Sequence, residues 1–318
     1  MTPTRRLTPS RHTAFWARLI LVTVALWLAA MPLPRDLVER FYSQGIYPMV
    51  RDLVTGMSSR TSLVLFDWML VVGVAGLLGW WTWGLTRAWR GRHLRVLVLL
   101  AWRTVVLVAA LYMVFLTVWG LNYRRQSLAS RLDYAESLVT VAELESLTVV
   151  AVDHLNQLYD ATEAETWPQF SDLPDRLGAA FVRVQQQLGV SVPTLGLVPR
   201  RSILTPYFRR AGIDGMLDPF FLQILVNDSV LPFERPFVTA HEWAHVAGYA
   251  HEAEANFVAW LSCLEGEETM QYSGWLYLVG RLLTVVPEPA RISLAGQLGS
   301  GPRADYAAVR ARFNRVVP

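Results

Sequence analysis

The sequence predicts a mostly α-helical membrane protein: three N-terminal transmembrane helices, then an α-rich domain with a minor β component outside the lipid. Three observations carry this. Apolar runs cover residues 15–33, 62–85 and 96–119, each near the roughly 20 residues a helix needs to cross a bilayer. Apolar residues make up 53% of the 318, with 13 Trp, more apolar and aromatic mass than a soluble chain of this length carries. From residue 122 the pattern changes to helical periodicity, at 138–159 and 177–188, in a stretch long enough for a core of its own.

The first run follows Arg5, Arg6 and Arg11 and ends in Leu28-Ala29-Ala30, so it imitates a cleaved signal peptide. The two later runs anchor the chain in either case. Orientation follows from the arginines. All 29 basic residues are Arg; the first 125 residues hold 15 of them against 4 acids, and the remainder 14 against 22. Arg5, Arg6 and Arg11 ahead of the first span with Arg18 near its start, and Arg87, Arg90, Arg92 and Arg95 between the second and third, mark cytoplasmic segments. The expected layout is a membrane domain over 1–121 and an extracytoplasmic domain over 122–318, with the N-terminus cytoplasmic and the C-terminal domain facing the periplasm or cell exterior. This distribution speaks against nucleic acid as a partner and for the lipid bilayer. Asp67 and Arg103 lie inside spans, where snorkelling or mutual pairing is expected to satisfy them.

In the second half, 193–206 and 212–219 are rich in turn residues, and short strand signals occur at 202–205, 222–226 and 195–198. Residues 272–286 are apolar, but Arg281 interrupts them and Pro287 ends them after about 15 residues, so a buried or interfacial helix is expected rather than a fourth span. The single cysteine, Cys263, excludes an internal disulfide and any paired-cysteine metal site. A metal must therefore use His and carboxylates.

Three of the six histidines fall within 241–251, in His241-Glu242-Trp243-Ala244-His245 and its continuation to His251-Glu252-Ala253-Glu254-Ala255-Asn256. Residues four apart on a helix lie one turn above each other, so His241 and His245 can aim at one Zn²⁺. Glu242 beside them can act as general base toward a water acidified by the metal. The competing reading is a set of polar residues on a solvated helix face. A third ligand must come from His251, Glu252 or Glu254. On a straight helix Glu252 would lie about 10 Å beyond His245, so the chain must turn, and Gly248 permits it. The spacing also fits the HExxHxxGxxH pattern of metzincins, which would make His251 the ligand. The alternative resembles the second helix of gluzincins: Glu252 binds, and Asn256, in place of an Asp, holds a ligand histidine from behind. We favour Glu252, because 252–261 then form one coherent buried helix, and Met270, the only methionine after the motif, has no further sign of a methionine turn.

Residues 38–48, 62–67, 119–124, 212–220, 231–233, 241–256 and 272–274 together resemble the bacterial membrane proteins grouped as Domain of Unknown Function 3810. The Glu252-Ala253-Glu254-Ala255-Asn256 element is also similar to that of a peptidase family typified by phage-repressor-cleaving antirepressors. The resemblance implies a bacterial inner-membrane protein with a periplasmic, zincin-like domain whose ligands are His241, His245 and a glutamate of that element, with His251 incidental. It gives no substrate. Relatives are expected to carry a further C-terminal segment beyond this chain's end.

An oxyanion calls for a second electrophile; Tyr249 and Arg209 are the candidates, with Tyr207 and Arg210 nearby. The expected function is a membrane-anchored zinc metallopeptidase acting on an unidentified peptide or protein. The alternative is a membrane-bound envelope or binding protein that keeps the fold without turnover, and would have no need for Glu242.

Overall fold

The computed structural model describes residues 11–91, 94–162 and 165–315. Arg5, Arg6 and Arg92 of the charge pattern lie outside them. Three helices are long and apolar enough to cross a membrane: α1 (Arg11–Ala30), α3 (Leu65–Gly91) and α4 (Leu94–Val118), with α2 (Tyr47–Ser58) between the first two. α4 packs against both α1 and α3. Their outward faces carry Trp27, Trp68, Trp83, Val98 and Leu99, an apolar surface of the kind a membrane covers. Among the described residues no other helix qualifies as a span.

The loop between α1 and α3 is itself helical. A wide π-type segment (Val38–Ile46) runs without a break into α2, which starts on Tyr47-Pro48; Pro48 has no N–H to continue the ladder. α2 turns Tyr47, Pro48 and Arg51 inward and leaves Met49, Leu53 and Met57 exposed. After α4 comes a single 3₁₀ turn (Gly120–Arg124).

The second half is built from α5 (Val141–Thr162), α6 (Leu173–Gln187), α7 (Thr205–Ala211), β1 (Gly215–Leu217), β2 (Ile224–Val226), α8 (Arg235–Val246), α9 (Glu252–Leu264), α10 (Glu268–Val285), α11 (Ala290–Gly296) and α12 (Ser300–Asn314). β1 and β2 pair antiparallel, Met216 opposite Leu225. Of the expected strands, 222–226 contains β2. Residues 202–205 form a turn into α7 instead, because the Ser202 hydroxyl accepts the Leu204 N–H and Pro206 starts the helix. Residues 195–198 are irregular; only Arg200 beyond them bridges to Leu225.

Two cores hold this half together. In the first, Trp243, Ala244 and Val246 of α8 and Ala255 and Val258 of α9 pack with Phe181 of α6 and Ile224 of β2. Val38, Tyr42, Tyr47 and Trp119 belong to the same core, so the packing runs across residue 122 into the segments that flank the spans. In the second, Ala151, Val152 and Leu155 of α5 meet Tyr272, Leu276, Val279 and Leu282 of α10. α10 is thus a buried helix of the domain.

Asp67 is not paired with Arg103. It accepts hydrogen bonds from Ser202 Oγ (2.5 Å) and the Ile203 N–H (2.9 Å), and so ties the start of α3 to the turn before α7.

Candidate metal centre

α8 is the element from which the site is built. Pro236 stands in its first turn, and the Glu234 carboxylate accepts the Leu231 N–H just ahead of it. Trp243 and Ala244, the free positions of the five-residue motif, face the core; Trp243 is fully buried and donates to the Leu197 carbonyl. His241 and His245 therefore share the opposite face. At the C-terminal end Gly248 donates to the His245 carbonyl and Tyr249 to that of Ala244, a Schellman closure that needs a left-handed residue. Gly248 has φ +89°, and a Cβ there would lie 3.1 Å from Asn122 Oδ1 and 3.2 Å from the Tyr47 ring. The chain turns on this residue, and α9 begins at Glu252 with His251 as its N-cap.

The turn brings Glu252 back over the histidines. Nε2 of His241 and Nε2 of His245 lie 3.1 Å apart, His241 Nε2 is 3.3 Å from Glu252 Oε2, and His245 Nε2 is 3.5 Å from Glu252 Oε1. A tetrahedral zinc with bonds of about 2.0–2.1 Å has ligand–ligand edges of about 3.3–3.4 Å. The three separations bracket that edge, and these residues form the one group among those described that could hold a metal ion.

Charge in this cluster is arranged for a cation. Hydrogen bonds from His241 and His245 hold the Glu252 carboxyl far below the usual carboxylate range. Burial is the largest influence on His245 and disfavours its charge, but the hydrogen bond to Glu252, the charges of Glu242 and Glu252 and the Tyr249 carbonyl together outweigh it and raise the pKa. His245 Nδ1 meets the Tyr249 carbonyl at 2.8 Å, which makes Nδ1 the protonated nitrogen and leaves Nε2 free to ligate. Burial raises the Glu242 carboxyl against the pull of both histidines; it is 3% exposed and its Oε2 has no partner. A Cβ on Gly215 of β1 would lie 2.6 Å from Glu242 Oε1, so the strand reaches the carboxylate only because it has glycine there.

The other expected residues fall elsewhere. His251 is exposed and lies edge-on to Tyr123, outside the cluster. Glu254 points behind the site, where Oε1 accepts the Leu128 N–H at 2.7 Å. Asn256 lines the cleft but bonds neither histidine: Tyr249 serves His245, and Nδ1 of His241 has no partner. Neither oxyanion candidate reaches the cleft. Tyr249 is fully buried against Arg125 and Arg131, and Arg209 is engaged with Asp228. In their place Tyr277 and Arg281, one turn apart on α10, line it. Among the described residues Arg281 makes no ion pair. Its position inside an apolar run was the signal in the sequence.

The cleft has a volume of about 820 Å³, within the range of small-molecule and peptide sites. Arg312 of α12, itself buried, binds Asp214 ahead of β1 and Glu234 ahead of α8, and so clamps two of its walls. The remaining wall comes from beside the spans. The Trp119 indole donates to the His245 carbonyl at 2.8 Å and the Tyr47 hydroxyl to that of Val246 at 2.5 Å. Arg125 donates to the Gly248 carbonyl while paired with Glu39, with Arg131 close by.

No curated protein and no solved structure matches the chain. A family model described as a protein of unknown function (DUF3810) matches residues 42–314, spans α2 to α12 and includes every residue of the cluster; by that match the chain belongs to this family.

Proposed function

We propose that the protein is a membrane-anchored zinc metallopeptidase. The observation that carries this is the His241–His245–Glu252 triangle at tetrahedral-edge spacing beside an unpartnered buried carboxylate. His241, His245 and Glu252 would hold Zn²⁺, which when bound supplies a Lewis acid that acidifies a water and polarises a carbonyl. Glu242 accepts the proton of the attacking water at its free Oε2 and delivers it to the leaving amine, so that one peptide bond and one water become a carboxylate and an amine. Tyr277 and Arg281 face the same cleft as donors to the developing oxyanion. A peptide is favoured as substrate because, among the described residues, β1 pairs only with β2, and it lines the cleft beside Glu242, so an extended chain can add to its second edge. The arginine asymmetry supports a cytoplasmic N-terminus with the cleft on the outer face of a bacterial inner membrane.

Metal analysis of the purified full-length protein tests this. Wild type and Glu242→Gln are expected to hold one zinc per chain and Glu252→Ala none, with hydrolysis of a mixed-sequence peptide library by wild type alone. A metal-free wild type, or Glu242→Gln turning over as fast as wild type, would refute it.

A further inference from the structure

The candidate metal cluster lies beside the end of a candidate span. Trp119, the residue that follows α4, donates to the His245 carbonyl, and Tyr47, at the start of α2, donates to the next carbonyl, that of Val246. The end of the metal helix is thus one side chain away from the end of a span. The cleft reaches lower still: Phe115 lines it, about 4.5 Å inside the end of α4. On the opposite wall Leu217 and Pro219 line it, and Phe220 next to them stacks on Phe66 in the first turn of α3.

α2 is placed independently. Residues 31–34 connect its leading segment to α1 and residues 59–64 connect it to α3, so short connections tie both ends to candidate spans. Its outward face presents Met49, Leu53 and Met57, spaced by four and 74%, 65% and 62% exposed, an apolar stripe that fits the headgroup–acyl boundary.

We propose that the cleft takes peptides tethered to the bilayer, by an acyl chain or by a transmembrane helix, and cuts them within the few residues next to the tether. This rests on the peptidase reading above. A substrate held at the surface presents its first residues at the height of His241 and His245, and its apolar anchor stays in lipid beside Phe115. A site raised on a stalk would have no such preference.

The test uses full-length zinc-loaded protein in lipid vesicles and one mixed-sequence tract in four forms: directly after a palmitoyl anchor, directly after a transmembrane helix, behind the palmitoyl anchor and a long Gly/Ser linker, and free in solution. Confinement to the surface raises effective concentration for both palmitoylated forms, so the comparison between them isolates height. The directly tethered tracts are expected to be cut at least about tenfold faster than the spaced and free ones, with Glu242→Gln inactive on all. The palmitoyl and helix arms report which tether is used. Equal rates for all four forms would overturn the inference and leave the peptidase reading standing. Cleavage of none by protein that holds zinc would overturn both.

Discussion

Two glutamates two residues apart open α9 and belong to different parts of the molecule. Successive helical positions differ by about 100°, so Glu252 and Glu254 project from nearly opposite sides. Glu252 faces the cleft, its side chain 75% exposed, and pairs with two histidines. Glu254 faces the rear, where the Leu128 N–H donates to it and Arg125 and Tyr249 lie near. Behind the site, carboxylates meet arginines: Glu39 takes both Nε and Nη2 of Arg125. In front there is no arginine between the carboxylates and the imidazoles, and Glu242 Oε2 and His241 Nδ1 are buried without partners. Buried groups of that kind are costly unless something else binds them. The rear also holds such atoms, Glu254 Oε2, Arg131 Nε and the Tyr249 hydroxyl among them, so what sets the front apart is the convergence of two imidazoles and a carboxylate on one point, whereas the rear joins carboxylates to arginines.

The largest expected effect separates these two roles. Glu252→Ala should lower zinc affinity by more than the 10–100-fold that contacts outside the ligand shell carry, with the thermal unfolding of the metal-free protein unchanged. Isothermal titration of the apo-protein with zinc, beside a melting curve, checks this. Full zinc affinity in Glu252→Ala together with its loss in His251→Ala would move the third ligand to His251.

Next comes the rear. Glu39 and Arg125 are 7% and 4% exposed in their side chains, and removing one partner of a buried pair costs about 3–5 kcal/mol. Glu39→Gln should lower stability by that order in chemical unfolding while zinc still binds at saturating concentration. The effect has a pH signature. Burial alone would raise the Glu39 carboxyl, but Arg125, Gln44 and Arg131 outweigh it and the net shift is downward. A depressed folded pKa contributes stability above the ordinary carboxylate range and loses it as pH falls through the folded value. Wild type and Glu39→Gln should therefore differ fully at neutral pH and converge in acid. A gap independent of pH would assign the loss to packing rather than charge. Glu254→Gln, which weakens a charged acceptor of one backbone N–H, should cost less, about 1.5–3 kcal/mol, again with zinc retained.

The front was legible in the sequence for a local reason. His241, Glu242 and His245 are fixed by helical repeat alone, and Glu252 follows once Gly248 is seen to break the helix. The spans were legible because an apolar run needs no partner to be recognised: runs at 15–33, 62–85 and 96–119 became α1, α3 and α4 with ends shifted by a few residues. The rear was not legible. Tyr47 and Val246 are 199 residues apart and Glu39 and Arg125 are 86 apart, and no periodicity links such pairs. The same holds for β1, whose three residues Gly215–Leu217 show no alternation and are strand only because β2 lies beside them. Tyr249 was misplaced because its backbone carbonyl, not its ring, serves the site; the hydroxyl is turned away among the rear arginines.

The smallest expected effect probes where front and rear meet. Trp119 touches both: its indole N–H holds the His245 carbonyl, and its ring lies edge-on to the His245 imidazole at 6.3 Å. Trp119→Phe keeps an aromatic ring but removes the donor. The carbonyl keeps a second bond, from the Gly248 N–H at 3.0 Å, so it is not left bare and the loss is that of one ordinary hydrogen bond, about 0.5–1.5 kcal/mol. If Trp119 only supports the fold, this loss appears in the melting curve and nowhere else. If it positions His245, kcat falls while KM and zinc stoichiometry stay put, because the ligand is still present but no longer held at the angle that the Tyr249 carbonyl and the indole jointly set. A variant with unchanged kcat and a lowered Tm would place Trp119 with the rear; the converse would show that the segment leaving the last span takes part in the geometry of the metal site.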